Sequence, residues 1–370
     1  MMRRVPHLCH VFATFVPGGP QVRTCRIVNA LGTSYRHTFM AIDSKVDAAE
    51  LIAPNVAFDV VPAERGKGGV LYPVWLARRL HSLHPDLTLT YNWGSLDAVI
   101  ATHLRPGAPL IHAEDGFGPD EATRQKRRRV IARRLLLRRA KFIVAPSMRL
   151  VRIMREIWKL PHERVRHIPN GIDCTRFSPG REVELRRSLG IPAEAVVVGT
   201  VAHLRPEKNL ELLVRSVARS AAMHLMFVGS GPEQGMLEAR AAALGLAGRA
   251  HFLGAREDTL ACYRSMDIFA LSSTTEQMPI ALVEAMSVGL PVVSTDVGDV
   301  RLMVCEPNQR FVVALEHEEA YVEALAGLAR SPELRTDLGR KNREKCLRDY
   351  RWEEMLETYC RLYETALGRG

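Results

Sequence analysis

The sequence predicts an α/β protein made of two doubly wound units, each built on a parallel sheet. Three observations lead there. Short runs of β-branched and apolar residues alternate with longer amphipathic stretches, the pattern of repeated strand–helix–strand units. The alternation occurs twice, on either side of the turn-rich segment IPNGIDCTRFSPG at residues 168–180. The chain also has 370 residues, more than the roughly 250 to 300 at which single cores stop growing.

In the first half, strands are expected at residues 7–15, 37–42, 57–61, 87–91, 110–113, 142–145 and 165–168. The second half repeats the theme at 196–201, 224–228, 250–252, 268–271, 292–295 and 309–313. Between them, residues 210–221, 234–243 and 318–328 carry apolar side chains at helical spacing. The domains are therefore expected at residues 1–175 and 176–351, with a last amphipathic helix at 352–370 that presents Met355, Leu356, Tyr359, Leu362, Tyr363 and Leu367 on one face. Ligands of open α/β sheets bind outside the carboxyl ends of the strands, so two such domains suit a donor and an acceptor held in a cleft.

Composition narrows the class of protein. Apolar residues make up 47% and charged residues 25% of the chain, which is ordinary for a globular protein and excludes collagen-like sequence. Seven cysteines, spread out and never spaced as CxxC, read as reduced thiols of a cytoplasmic protein. Pro6, His7 and His10 interrupt the apolar run behind Arg3 and Arg4, so the N-terminus does not read as a signal peptide. No run of 18 apolar residues occurs to span a membrane. The net charge of +10 favours acidic partners: nucleic acid, anionic lipid or a phosphorylated substrate.

Three segments have residue types suited to receiving phosphate or hydroxyl groups. Gly18 and Gly19 follow the first strand and open a helix, where free amides can receive phosphate oxygens, although such a turn is more often structural. In VAHLRPEKN, His203, Arg205 and Lys208 follow an apolar strand; the cations either hold a diphosphate or form a solvated turn. In TEQMPIALVEAM, Pro279 suits the first helical position, leaving amides of Ile280, Ala281 and Leu282 free between the carboxylates of Glu276 and Glu284. Carboxylates accept hydrogen bonds from sugar and ribose hydroxyls. The plain alternative places Glu276 on the helix dipole and Glu284 on an exposed face, which the apolar neighbours of Glu284 disfavour.

Taken in order, GGPQVR, IPNGID, VAHLRPEKN, FVGSGPE, HFLG, the two glutamates with seven residues between them, and GLPVVSTDVGD resemble the retaining nucleotide-sugar glycosyltransferases of family 4, from Val11 to about Tyr363. The resemblance implies the two-domain GT-B fold of Rossmann-like units facing across a cleft, with a C-terminal helix that crosses back onto the first domain. It implies that Glu284 binds the donor ribose, Glu276 the transferred sugar and Lys208 the diphosphate, with Gly18 and Gly19 approaching the phosphates. His112, in IHAEDG, falls where the family often places an active-site histidine; otherwise it is a strand-end histidine with a structural hydrogen bond. The arginine usual in the family two residues beyond the strand is replaced by His203, and the usual glycines beside the first glutamate by Gln277 and Pro279. The implied reaction retains anomeric configuration by front-side displacement, from a donor taken as UDP-linked by family usage, without a metal or other cofactor. The acceptor is then a growing polysaccharide or lipid-linked saccharide of the cell envelope.

Ten of the eighteen residues 124–141 are Lys or Arg, and the apolar ones fall near helical spacing. Arg127, Arg128, Arg129, Arg133, Arg134, Arg138 and Arg139 are expected to form a patch that docks on the inner face of the cytoplasmic membrane or on an acidic acceptor. A solvated face and a nucleic-acid site compete with this. A nucleic-acid or anion-binding protein without transfer chemistry is the alternative of a different class, and no aromatic residue lies within the segment to stack on bases. A nucleotide-sugar epimerase shares the architecture but not the paired-glutamate segment.

Overall fold

The computed structural model describes residues 4–63, 71–117, 121 and 124–369. They form two compact units, Met1–Pro169 with Leu356–Gly370, and Asn170–Met355.

The first unit holds a seven-stranded parallel sheet: His7–Phe12 (β1), Arg36–Ala41 (β2), Phe58–Val60 (β3), Leu87–Tyr91 (β4), Leu110–Ala113 (β5), Phe142–Ala145 (β6) and Val165–His167 (β7), in the order β3-β2-β1-β4-β5-β6-β7. β1, HLCHVF, is wholly buried although it holds two histidines. They are accommodated by pairing: His7 Nε2 lies 2.7 Å from Thr38 Oγ1, His10 Nδ1 2.8 Å from the Tyr91 hydroxyl, and His10 Nε2 3.0 Å from His37 Nδ1. Burial lowers the pKa of His10 and His37, so both rings are neutral. The helix Trp352–Ala366 gives Tyr359 and Tyr363 to the interior of this unit. Its Glu364 accepts a 2.5 Å hydrogen bond from the Tyr35 hydroxyl.

The second unit holds six parallel strands: Val196–Val201 (β8), Met223–Val228 (β9), Ala250–Phe252 (β10), Ile268–Leu271 (β11), Val292–Thr295 (β12) and Val312–Val313 (β13), in the order β10-β9-β8-β11-β12-β13. The helix Leu210–Ala218 packs on it through Leu210, Leu213, Val214 and Val217, at i, i+3, i+4 and i+7. Full burial of each such side chain contributes roughly 1.5–3 kcal/mol. The strand expected at 309–313 begins later than the sequence predicts. Glu306–Phe311 forms a 3-10 helix instead, because Asn308 turns inward to bond both the N–H and the C=O of Val292.

Candidate active site

In the second sheet the chain winds outward from β8 to β10, then returns to place β11 on the other side of β8. The loops after β8 and β11 therefore diverge at the carboxyl edge and leave a crevice, the usual ligand position in such sheets. Lys208 comes from the first loop and Glu276 from the second. Their side chains meet at 2.6 Å, Nζ to Oε1, and are 24% and 12% exposed. The separation of 68 positions hides this pairing from a local reading of the sequence.

The two loops are fastened to each other and to β12. The Ser272 hydroxyl donates to the Lys208 carbonyl at 2.8 Å, and the Thr274 N–H to the Glu207 carbonyl at 2.9 Å. Thr295 Oγ1 donates to the Ser273 carbonyl at 2.6 Å, and the Ser273 hydroxyl to Glu276 Oε1 at 2.8 Å. Gly298, at φ +57°, lies against the same loop, where a Cβ would stand 2.6 Å from the Glu276 carbonyl oxygen. Gly231 likewise leaves room for the loop after β8, since a Cβ there would stand 2.3 Å from the Leu204 carbonyl oxygen. These constraints fix both charged side chains on rigid backbone.

Pro279 is the N-cap of the helix Ile280–Val288, one position earlier than the sequence suggests. The Leu282 N–H bonds the Pro279 carbonyl at 3.2 Å, which leaves the amides of Ile280 and Ala281 as the donors at the helix start. Leu282, Val283, Ala285, Met286, Ser287 and Val288 are all buried. The partly exposed stripe of this helix is Ile280, Ala281 and Glu284, one helical face. A pocket reaches from Thr200 and Ala202 past Lys208, Ser273 and Glu276 to Pro279 and Ala281. Glu284 accepts a 2.7 Å hydrogen bond from the Tyr263 hydroxyl, a partner with no local sequence signal, 21 residues upstream.

His203 is exposed, and its Nδ1 donates to the Ser230 carbonyl. Arg205 is exposed and has no ion-pair partner among the described residues. Lys208, Glu276, Pro279 and Ala281 thus share one pocket, while His203 and Arg205 stand at the surface of the same loop.

In the first unit, the glycine turn caps the helix Gly19–Leu31, with Gly18 in extended conformation at the N-cap. Arg23 of that helix pairs with Asp115 at 2.7 Å, both nearly buried, an anchor the sequence did not signal. His112 differs from expectation. It is fully buried, with Nδ1 2.9 Å from Thr90 Oγ1 and Nε2 3.5 Å from Glu114 Oε2. Both nitrogens face protein groups, so His112 ties β4 to the segment that follows β5.

The basic segment forms the helix Arg127–Leu136 and a 3-10 turn, Leu137–Arg139. Arg133 has to be withdrawn from the expected surface patch. It is fully buried, 3.5 Å from Glu114 and 3.2 Å from Glu121, with its guanidinium 4.8–5.4 Å from the ring centres of Trp93, Phe117 and Trp158. Arg129 pairs with Glu121 at 2.9 Å, and Arg134 donates to the Ile157 carbonyl. Arg127, Arg128, Arg138 and Arg139 remain exposed, as do Ile131 and Leu135.

Comparison with known proteins identifies the family and the fold. Residues 18–171 match the family model described as "Glycosyl transferase 4-like domain", and residues 182–345 the one described as "Glycosyl transferases group 1". Over 305 residues the chain is 27% identical to a D-inositol 3-phosphate glycosyltransferase of Saccharomonospora viridis, covering 76% of this chain and 70% of that one. It is 28% identical over 184 residues to the lipopolysaccharide core biosynthesis glycosyltransferase LpsE of Rhizobium meliloti, or 50% of this chain and 54% of that one. Among solved structures, Anabaena HepE in complex with UDP matches with a TM-score of 0.83 at 20% identity, over 97% of this chain and 100% of that one. WaaG, a glycosyltransferase involved in lipopolysaccharide biosynthesis, matches at 0.71 and 18% identity, over 92% and 95%. At such identities the structural likeness establishes the fold, which is GT-B.

Proposed function

Since this chain belongs to the group 1 glycosyltransferases with a family 4-like N-terminal domain, we propose that it moves a sugar from a UDP-linked donor, with retention, to a hydroxyl of a saccharide or lipid-linked saccharide. The observation that carries the reading is the pair Lys208–Glu276 beside the amides of Ile280 and Ala281 at the switch point of the second sheet. In this reading Lys208 and the two amides take the diphosphate, whose charge grows as the glycosidic bond breaks. Arg205 lies on the same loop as a second source of positive charge. Glu284 receives the ribose hydroxyls and Glu276 those of the transferred sugar. The leaving phosphate accepts the proton of the attacking hydroxyl on the same face of the sugar. The protein's own cations and amides carry the charge, so we assign no metal or other cofactor. The glycine turn at Gly18 and Gly19 is assigned to the donor phosphates on the family pattern alone.

The UDP preference draws support from the UDP held by HepE, and the acceptor class from the names of LpsE and WaaG. Among the described residues no helix is long and apolar enough to cross a membrane. We assign the exposed Arg127, Arg128, Arg138 and Arg139, with Ile131 and Leu135 between them, to peripheral docking on the anionic cytoplasmic face of the membrane. Each such cation near the surface contributes about 1 kcal/mol.

Thermal stabilisation by UDP, GDP and ADP, with Glu284→Ala alongside, tests the donor site. Stabilisation by UDP that the variant loses is the expected result; ligand at a hundred times its dissociation constant adds about 2.7 kcal/mol. No response to any of the three, together with salt-sensitive RNA binding, would replace this reading with that of a nucleic-acid-binding protein.

A further inference from the structure

We infer that Tyr263 is a positioning residue of the nucleotide site, its hydroxyl holding the Glu284 carboxylate in the orientation that receives a ribose hydroxyl. The inference rests on the reading of Glu284 given above.

Tyr263 belongs to the short helix Leu260–Arg264 and is fully buried. Its ring packs against Phe177 at 6.1 Å and Phe269 at 6.0 Å between centres, so the phenol cannot swing. The hydroxyl lies 2.7 Å from Glu284 Oε2 and 3.2 Å from the Ala281 carbonyl oxygen. A phenol has one hydrogen to give. The shorter contact, to a charged oxygen, takes it, because charge-assisted hydrogen bonds are the stronger kind. Burial and the neighbouring carboxylate hold the phenol pKa well above its ordinary value, so Tyr263 stays a donor wherever the protein is folded.

The consequence for Glu284 follows from its place. It stands on the partly exposed stripe of an otherwise buried helix, and a glutamate there has three side-chain torsions to settle. A fixed O–H beneath it selects one arrangement of the carboxylate. Ligand binding is favoured when the receiving group is already in place. Tyr263 thus acts on the nucleotide through Glu284 and touches no reacting atom.

The test compares wild type, Tyr263→Phe, Glu284→Ala and the double variant by calorimetric titration with UDP and with 2′-deoxy-UDP. Tyr263→Phe removes one oxygen and keeps the packed ring. It is expected to weaken UDP about tenfold, to lower the preference for UDP over the deoxy analogue, and to raise the donor KM with kcat within twofold. In the Glu284→Ala background it is expected to change nothing further. Unchanged UDP affinity in Tyr263→Phe, an unchanged ribose preference, or an equal loss in the Glu284→Ala background would each overturn the inference while leaving the donor site standing. Full UDP affinity and full ribose preference in Glu284→Ala itself would instead remove the reading on which it rests.

Discussion

Lys208 and Glu276, 68 residues apart, are each other's counter-ion: Nζ and Oε1 lie 2.6 Å apart at the point where the second sheet reverses its winding. In the proposed reading a diphosphate competes with Glu276 for Lys208, and the carboxylate then turns to the sugar. Removing the carboxylate removes a competitor. Glu276→Gln is therefore predicted to bind UDP several-fold more tightly than wild type by titration calorimetry, while sugar transfer falls by about a hundredfold, or roughly 2.7 kcal/mol of transition-state binding. Weaker UDP binding in Glu276→Gln would contradict the exchange.

Arg133 is predicted to act on stability, unlike the other arginines of its helix. Replacing it with Gln leaves Glu114 without its arginine and Glu121 with Arg129 alone, beside an aromatic cage, and breaking a buried pair costs about 3–5 kcal/mol. Thermal melts should show a large fall for Arg133→Gln. Arg127→Gln and Arg128→Gln, on exposed positions, should stay within about 0.5 kcal/mol of wild type. The same two exposed variants should reduce sedimentation with anionic vesicles.

Acid should destabilise the first unit through its buried histidines. Burial lowers the pKa of His37 from 6.5 to about 4, so below pH 6.5 the unfolded chain binds a proton that the folded chain refuses. Stability from this group is complete above pH 6.5 and is lost as pH falls toward 4, on the order of 3 kcal/mol in all. His10 adds to the effect in the same direction. Melting temperatures measured from pH 7 to 4.5 should fall, and fall less steeply in His37→Gln. Equal slopes would contradict this origin.

The C-terminal helix should be indispensable. Deleting residues 352–370 takes Tyr359 and Tyr363 from the first unit's interior and breaks the Tyr35–Glu364 bond and the contact of Lys141 with the Ala366 carbonyl. Insoluble or unfolded protein is the expected outcome. Soluble protein that binds UDP as before would show that the helix is dispensable.

Most strands were legible because each is a short apolar run bounded by turn residues, and the two glutamates because their spacing and order resemble a family pattern. What was not legible depends on partners remote in sequence. Arg133 reads as one more cation in a basic run; its burial is decided by Glu114, Glu121, Trp93 and Trp158, which nothing in the local pattern connects to it. His112 looked available because it stands at a strand end, yet Thr90 on the neighbouring strand and Glu114 enclose it. Tyr263 carries no sequence signal of its own, because the oxygen it directs at Glu284 crosses 21 positions of chain.

The most direct test of the account is release of UDP from a panel of UDP-sugars in the presence of cell-envelope lipid extract, comparing wild type with Lys208→Met. The account predicts UDP release from at least one donor by the wild type and a loss of a hundredfold or more in the variant. Equal release by both proteins would contradict the place of Lys208, and no release from any donor by either would contradict the assigned donor.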